Sequence, residues 1–519
     1  MTGGRQKIST ASGLLAAAVA VGAAMTLLQQ IFSVDIYRDT ANVYACMVRA
    51  LVRGEYAEAF HPGIPQLNVV LALPFTWLGL RPEQALALVS ELFYLATIPI
   101  LYLLLREFLP KTSSAFGALL YACAPKIIRF SCTGLIDSGK IFFLVAGIFC
   151  AWCFVKGGFR SRRWALAWGA ALGGLLLVRS EGVGNAAILY AGVAAIWLWR
   201  RFREKRQVPV VPMLIVLLPA AAAILFRMWC NWRFCGYFMF DLRIHNWLCL
   251  LLGKPRVVIA DVPVPAAPTA AAAPSVLKLW LEVLELFVVG NYEVYFGFAM
   301  LGLALVIVAK FGKKWHVLWP DRQVPAMFEW NALYFIIWLN AIGNLLIFRL
   351  SKIASYRYFL INIPLLIVFA VIAACWLWSW GVKLLPKWML AIPLLGVAFL
   401  LAVQIENGAE NFFSEKSYVK YRSGLEVGKI IRREKPDAKV WFKQACVEWY
   451  YSGQKRAVPI ETAMPDPRTF DAFDYVLMDK TLDDAEKKTA AIVTARPDIV
   501  EIPMFEDSTV RLFRKIEVK

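Results

Sequence analysis

The chain has 519 residues, 60% of them hydrophobic and 18% charged, with a formal net charge of +19. A water-soluble domain of that composition lacks the polar surface to cover itself. Residues 404–519 carry equal numbers of basic and acidic side chains. The charge excess therefore lies in 1–403, where Lys and Arg cluster between alternate apolar runs, a topological pattern that leaves nucleic-acid binding nothing to explain.

Runs of roughly bilayer-spanning length, about 20 residues, appear in chain order. They are Leu14–Ser33, Ala85–Leu105, Ile141–Val155, Ala165–Val178, Val183–Trp199 and Val208–Phe226, with a shorter one at Ala115–Ile128. Tyr292–Ala309, Ala332–Phe348, Tyr358–Trp378 and Met389–Val403 complete the series. The fold class that follows is a polytopic α-helical membrane protein of about eleven transmembrane helices with a small C-terminal α/β domain. The first run, preceded by Arg5 and Lys7, reads as a retained helix and not a cleaved leader. Basic clusters such as Lys156/Arg160/Arg162/Arg163 and Arg200/Arg201/Arg203/Lys205/Arg206 then face the cytoplasm. That orientation puts the N-terminus inside and the tail outside, in the periplasm, at the cell exterior or in a lumen.

The expected organisation is a transmembrane domain over residues 1–403, with a first outward loop at 35–83 and a second at 228–291. An extracytoplasmic α/β domain follows over 404–519. In the first loop, Asp39–Arg53 reads as an amphipathic helix stopped by Gly54, and His61-Pro62-Gly63-Ile64-Pro65 as a rigid turn. Gln66–Leu80 is apolar but short for a span, so it is placed along the outer surface. In the second loop Val262–Pro274 reads as a connector and Leu277–Val289 as an interfacial helix. The tail shows strand signals at Lys439–Phe442, Tyr475–Met478, Ile499–Phe505 and Val510–Arg514. Helical signals lie at Cys446–Tyr451 and Asp483–Ala495.

Ionisable groups at a membrane edge are costly, so each outward one is a candidate. Asp35 and Asp39 share a helix face at i,i+4 spacing. One of them serves as general base or cation ligand, or both simply cap the next helix. Asp137, followed by Lys140, opens a span as either a site group or a helix cap with a local ion pair. His61 stands beside two prolines, where a structural role competes with a polar one. Arg179-Ser180-Glu181 breaks an apolar region, and pairing of Arg179 with Glu181 makes it tolerable. Arg349, Lys352 and Arg357 crowd an outward loop against the positive-inside trend, as do Lys126 and Arg129. Such groups suit a lipid-linked phosphate or diphosphate held at the outer surface, or else ordinary anionic headgroups. Cys150 and Cys153 form a CxxC within a span, where packing is the simpler role.

Several of these segments occur in the order of a known family. Asp39-Thr40-Ala41-Asn42-Val43-Tyr44-Ala45, Leu51-Val52-Arg53-Gly54, His61-Pro62-Gly63-Ile64-Pro65 and the run ending Leu78-Gly79 follow one another. The series resembles the first outward loop of the C-type (GT-C) membrane glycosyltransferases, in the bacterial protein O-mannosyltransferase-like and aminoarabinose-transferase-like branch. Leu135-Ile136-Asp137, Leu177-Val178-Arg179-Ser180-Glu181-Gly182 and Tyr356-Arg357-Tyr358 with Pro364 are similar to later marks of that family. Thr40 and the single-proline start of the turn depart from it. The resemblance implies an inverting enzyme that moves a sugar from a polyprenyl-phosphate carrier to an acceptor lipid, glycan or protein outside the membrane. Asp39 matches the family's catalytic base. Asp137, Lys140, His61, Arg179, Glu181, Lys352, Arg357 and Tyr358 become the substrate-binding candidates. No cofactor is implied with certainty; a divalent cation, if present, falls to Asp35, Asp39 and Asp137. A transporter or flippase of a lipid-linked anion shares the spans and the outward cations. It leaves the amphipathic first loop and the tail unexplained, and internal repeats are missing.

Overall fold

The computed structural model describes residues 10–32, 39–107, 109–205, 207–245, 294–311, 360–384, 391–409, 415–435, 438–443, 446–452, 473–480 and 493–516, plus the single residues 339, 386, 389 and 491. Helix α1 (Thr10–Phe32) comes first; a π-helical turn (Thr40–Tyr44) runs into α2 (Ala45–Val52), followed by α3 (Tyr56–Ala59) and α4 (Leu67–Trp77). The bundle continues with α5 (Pro82–Arg106), α6 (Lys111–Ala122), α7 (Pro125–Ser131), α8 (Asp137–Lys156), α9 (Arg162–Val178), α10 (Gly182–Phe202) and α11 (Val211–Cys235). Beyond it come α12 (Val294–Phe311), α13 (Ile363–Leu384), α14 (Ala391–Ala409) and α15 (Glu415–Glu434). The remaining elements are β1 (Val440–Lys443), α16 (Cys446–Ser452), β2 (Tyr475–Asp479), β3 (Ile499–Ile502) and β4 (Val510–Lys515).

Among the described residues, α1, α5, α8, α10, α11 and Leu360–Ser379 are long and apolar enough to cross a bilayer. The chain is an integral membrane protein. The run Ala332–Phe348, the connector Val262–Pro274 and Leu277–Val289 lie outside the described residues, Leu339 excepted. Ala115–Ile128 is not one helix. Pro125 lacks an N–H and pushes Ala124 into an extended conformation (φ −68°, ψ 115°), so α6 stops and α7 starts afresh. The amphipathic segment after Asp39 is helical as expected, although its first turn is wound wider than an α-helix.

Helices α9 and α11 pack closely because Gly169 and Gly173, four apart on α9, face Pro219 and the Val216 carbonyl of α11. Any Cβ at Gly169 would overlap that carbonyl, which is the small-residue packing typical of membrane bundles. The bundle core runs continuously from α1 through α5, α6, α8, α9 and α10 to α13.

The C-terminal sheet has the order β1-β2-β4-β3, with β1 parallel to β2 and the other pairs antiparallel. Its strands alternate as a two-sided sheet should. Tyr475, Leu477, Val510 and Leu512 join one apolar cluster, while Val476, Met478 and Phe513 join another with Trp441 and Val493. The first cluster also contains Ala41, Ala45, Val48, Ile64, Val69, Ala72 and Leu86. The first loop, the start of α5 and the sheet layer thus share one core. A polar latch sits within it: the buried Tyr450 hydroxyl donates to Glu83 at 2.6 Å. Arg49 lies 4.2 Å from the centre of the Tyr450 ring.

Candidate functional site

The site is built where α8 begins, α9 ends and α10 begins, with the first loop laid against them. Asp39 precedes the π-helical turn in a helical conformation (φ −68°, ψ −33°) but makes no capping bond. The capping alternative is therefore not what its carboxylate does. Its neighbour Thr40 is fully buried and donates to the Thr133 carbonyl at 2.9 Å. Gly134 lies next to that carbonyl with φ +73°, where a Cβ would stand 2.8 Å from the Thr40 methyl. Glycine alone lets the loop close on Thr40. On its other side, Ser90 donates to the Leu135 carbonyl at 2.5 Å. The loop that delivers Asp137 is thus fixed from two directions, and one of its anchors is the residue beside Asp39.

Asp137 occupies the first turn of α8 and accepts from Arg179 across the helix ends. The local pair with Lys140 considered from sequence gives way to this longer-range one. Arg179 also donates from Nε to Glu181 at 3.0 Å. All three are buried or nearly so, at 6–12% side-chain exposure. Desolvation by itself favours the neutral acid at Glu181. The charges of Arg179 and Lys140 outweigh it and hold this carboxyl well below the usual range. The second carboxylate oxygen of Asp137 is buried and, among the described residues, has no hydrogen-bond partner. Lys140, one turn along α8, is buried within reach of these charges. Tyr44 stands among them: burial raises its hydroxyl pKa, and the charges of Arg179, Asp39, Arg243 and Asp137 all act on it. Asp39 and the Asp137–Arg179–Glu181 group therefore share one electrostatic neighbourhood.

His61 staples its own turn. Its Nδ1 accepts the Gly63 N–H at 3.0 Å, and its carbonyl accepts from Gln66 at 3.3 Å. The Leu242 N–H donates to the Pro62 carbonyl at 3.0 Å, tying the turn to the segment after α11. Sequence reasoning missed what that segment carries. Asp241, fully buried, accepts from Arg227 of α11 and from Ser180 at 2.7 Å, and also from the N–H groups of Arg243 and Ile244 at 2.9 and 3.1 Å. Arg227 in addition donates to the Leu176 carbonyl at 3.3 Å. Ser180 sits between Arg179 and Glu181, so this pair fixes the same corner from behind. Arg227, the arginine that directly follows the apolar run Val208–Phe226, was the available signal.

Asp35, Lys352, Arg357 and Tyr358 lie outside the described residues. A divalent cation does not fit the described part of the site. Asp137 is already paired with Arg179, Lys140 adds a second competing charge, and no group of three metal-ligating side chains converges among the described residues.

Residues 61–227 match the family model described as dolichyl-phosphate-mannose-protein mannosyltransferase. The fold is similar to ArnT from Cupriavidus metallidurans bound to undecaprenyl phosphate, at TM-score 0.61 and 14% identity, covering 98% of each chain. The apo state of ArnT from Cupriavidus metallidurans gives 0.58 at 14% identity, over 97% of this chain and 98% of that one. The archaeal oligosaccharyltransferase AglB from Archaeoglobus fulgidus, in complex with an inhibitory peptide and a dolichol-phosphate, gives 0.51 at 13% identity, over 93% and 71%. No curated protein sequence matches. The resemblance read from the sequence is borne out: residues 61–227 match the mannosyltransferase family model, and the fold is similar to those of ArnT and AglB.

Proposed function

We propose that the chain is an inverting glycosyltransferase that moves a hexosyl or pentosyl group from a polyprenyl-phosphate carrier to an acceptor hydroxyl on the outer side of the membrane. The observation that carries this reading is the Thr40 tether. It holds Asp39, whose carboxylate makes no helix-capping bond, in the neighbourhood of a buried acid–base group whose Asp137 still has an acceptor to offer among the described residues. The family match over residues 61–227 and the lipid phosphates named for ArnT and AglB support it.

In this reading the acceptor hydroxyl loses its proton to Asp39 as its oxygen attacks the anomeric carbon opposite the phosphate. The bond from that carbon to the phosphate oxygen breaks, and the departing polyprenyl phosphate keeps the electron pair. The second oxygen of Asp137 receives a hydroxyl hydrogen of the substrate and fixes its orientation. The described charges of this neighbourhood balance: Asp39, Asp137 and Glu181 are matched by Lys140, Arg179 and Arg243. A departing phosphate needs cations beyond these, and that role goes to Lys352 and Arg357, with Tyr358 as a further substrate-binding residue. Residues 1–403 act as the transfer domain and residues 404–519 as an extracytoplasmic α/β domain over the first loop.

The test is sugar transfer in native membranes supplied with radiolabelled polyprenyl-phosphate sugars, comparing wild type with Asp39→Asn. Loss of a general base lowers the rate by about 10²- to 10⁴-fold. Wild-type transfer with an equally active Asp39→Asn variant would remove Asp39 from the role. An absence of transfer from every such donor would sink the glycosyltransferase reading.

A further inference from the structure

The end of the bundle opposite the Asp137 group has a site of its own. Helix α8 has 20 residues, about 30 Å at 1.5 Å per residue, so the turns after α8 and α10 lie across the membrane from Asp137 and Glu181. There a groove of about 1030 Å³ opens between the α8–α9 turn and the start of α11. Arg160, Arg162, Arg201 and Lys205 line it, and among the described residues none of its lining is acidic.

The two turns that build it are unusual in backbone. Phe159 and Lys205, neither a glycine, sit at φ +64° and +50°, a conformation that costs such side chains on the order of 1–3 kcal/mol each. At Phe159 the offset is visible. Its ring is fully buried and packs edge-on against Phe154, with the Arg200 guanidinium 5.8 Å away. Arg200 in turn donates to the Val155 carbonyl at 3.2 Å, closing the end of α8. The turn is thereby locked with Arg160 as the next residue. Across the groove, Arg201 donates to the Val208 carbonyl at 3.3 Å and lies 5.5 Å from the Trp197 ring centre, so this cation too is held.

The far wall is apolar and uncovered: Phe202 is 71% exposed and Val211 57%. Both stand at helix ends in a chain that spans the bilayer, where such surface meets acyl chains. Cations at headgroup depth beside an apolar wall are the two halves of one ligand chemistry. We propose that this groove binds an anionic glycerophospholipid, with its phosphate diester among Arg160, Arg162, Arg201 and Lys205 and its acyl chains along Phe202, Val210 and Val211. The lipid tightens the α8–α9 and α10–α11 turns together. This site is separate from the proposed donor site and does not depend on the transferase reading.

The test is native mass spectrometry of the full chain, released from nanodiscs of equal phosphatidylglycerol and phosphatidylcholine. The variants are Arg160→Gln/Arg162→Gln/Lys205→Gln and the charge-keeping Arg160→Lys/Arg162→Lys. Each cation at an anionic headgroup is worth about fivefold in binding. Wild type should therefore keep phosphatidylglycerol in preference to phosphatidylcholine, the triple variant should bind it on the order of a hundredfold more weakly, and the lysine variant should retain it. Equal retention of both lipids by wild type would overturn the proposal without reference to any variant. So would a monodisperse triple variant that binds phosphatidylglycerol undiminished. Displacement of the lipid by millimolar inorganic phosphate would show a plain phosphate site and would also refute it.

Discussion

Asp241→Asn is the most informative substitution away from the proposed chemistry. The side chain keeps its volume and one acceptor oxygen, so the bonds from the Arg243 and Ile244 N–H groups can survive. What is lost is the charge facing Arg227, and both side chains of that pair have no exposed surface. Removing one partner of a buried pair costs about 3–5 kcal/mol, because the other charge stays in a low-dielectric site without compensation. Ser180 also loses a charge-assisted acceptor at 2.7 Å, a smaller effect of about 1.5–3 kcal/mol. Thermal unfolding of the purified protein in detergent should show a clear loss for the single variant. It should show substantial recovery in Asp241→Asn/Arg227→Met, where no buried charge is left alone. The double-mutant cycle reads the coupling directly. A single variant as stable as wild type, or a double variant whose loss is the plain sum of the two singles, would refute the argument.

Other outcomes follow from the same geometry. Tyr450→Phe removes the donor to Glu83 and leaves that carboxylate short of a partner, at a cost of about 1–3 kcal/mol; faster amide exchange in α2 and the start of α5 would report it, and unchanged exchange would contradict it. Glu181 has a depressed folded pKa, so its contribution to stability is complete above the unfolded glutamate value and fades as pH falls toward the folded one. Melting curves from neutral to acid pH should therefore lose part of their acid-side decline in Glu181→Gln, and identical curves would exclude the pairing. Gly169→Val places a branched side chain into the α11 backbone; overpacking costs about 1–3 kcal/mol or more, visible as a lower melting temperature, whereas Gly13→Val, with nothing near its Cβ position, should be neutral.

Much of the scaffold was legible because hydrocarbon tolerates only helices and closed barrels, and long apolar runs announce the helices. The turn His61–Pro65, the start of α8 at Asp137 and the Arg179–Glu181 pair could be read from local chemistry. The four strands fell on predicted segments because short apolar runs such as Tyr475–Met478, buried on both faces of the sheet, mark them. What escaped were features set by partners distant in sequence. The Arg227–Asp241 pair looks like a stray arginine and a loop aspartate until α11 reverses at Gly236 and the chain folds back. Helix α15 was missed because its sequence is mostly polar, and only Val427, Ile430 and Ile431 join the cluster under the sheet. The wide first turn after Asp39 follows from the Thr40 tether, which no pattern within the first loop encodes.

The latch between Arg49 and Tyr450 joins residues 401 positions apart. At ribosomal speeds of about 5–20 residues per second, on the order of 20–80 s separate the synthesis of its two halves. Through that interval the first loop has left the ribosome with Ala41, Ala45 and Val48 still lacking the part of their cluster that the C-terminal segment provides, Trp449 and Tyr450 of α16 included. Completion of the proposed active end is therefore a late event in biogenesis. A chain stalled or cleaved before α16 would insert its helices and still present an unfinished loop, an exposed apolar surface that quality-control factors can recognise.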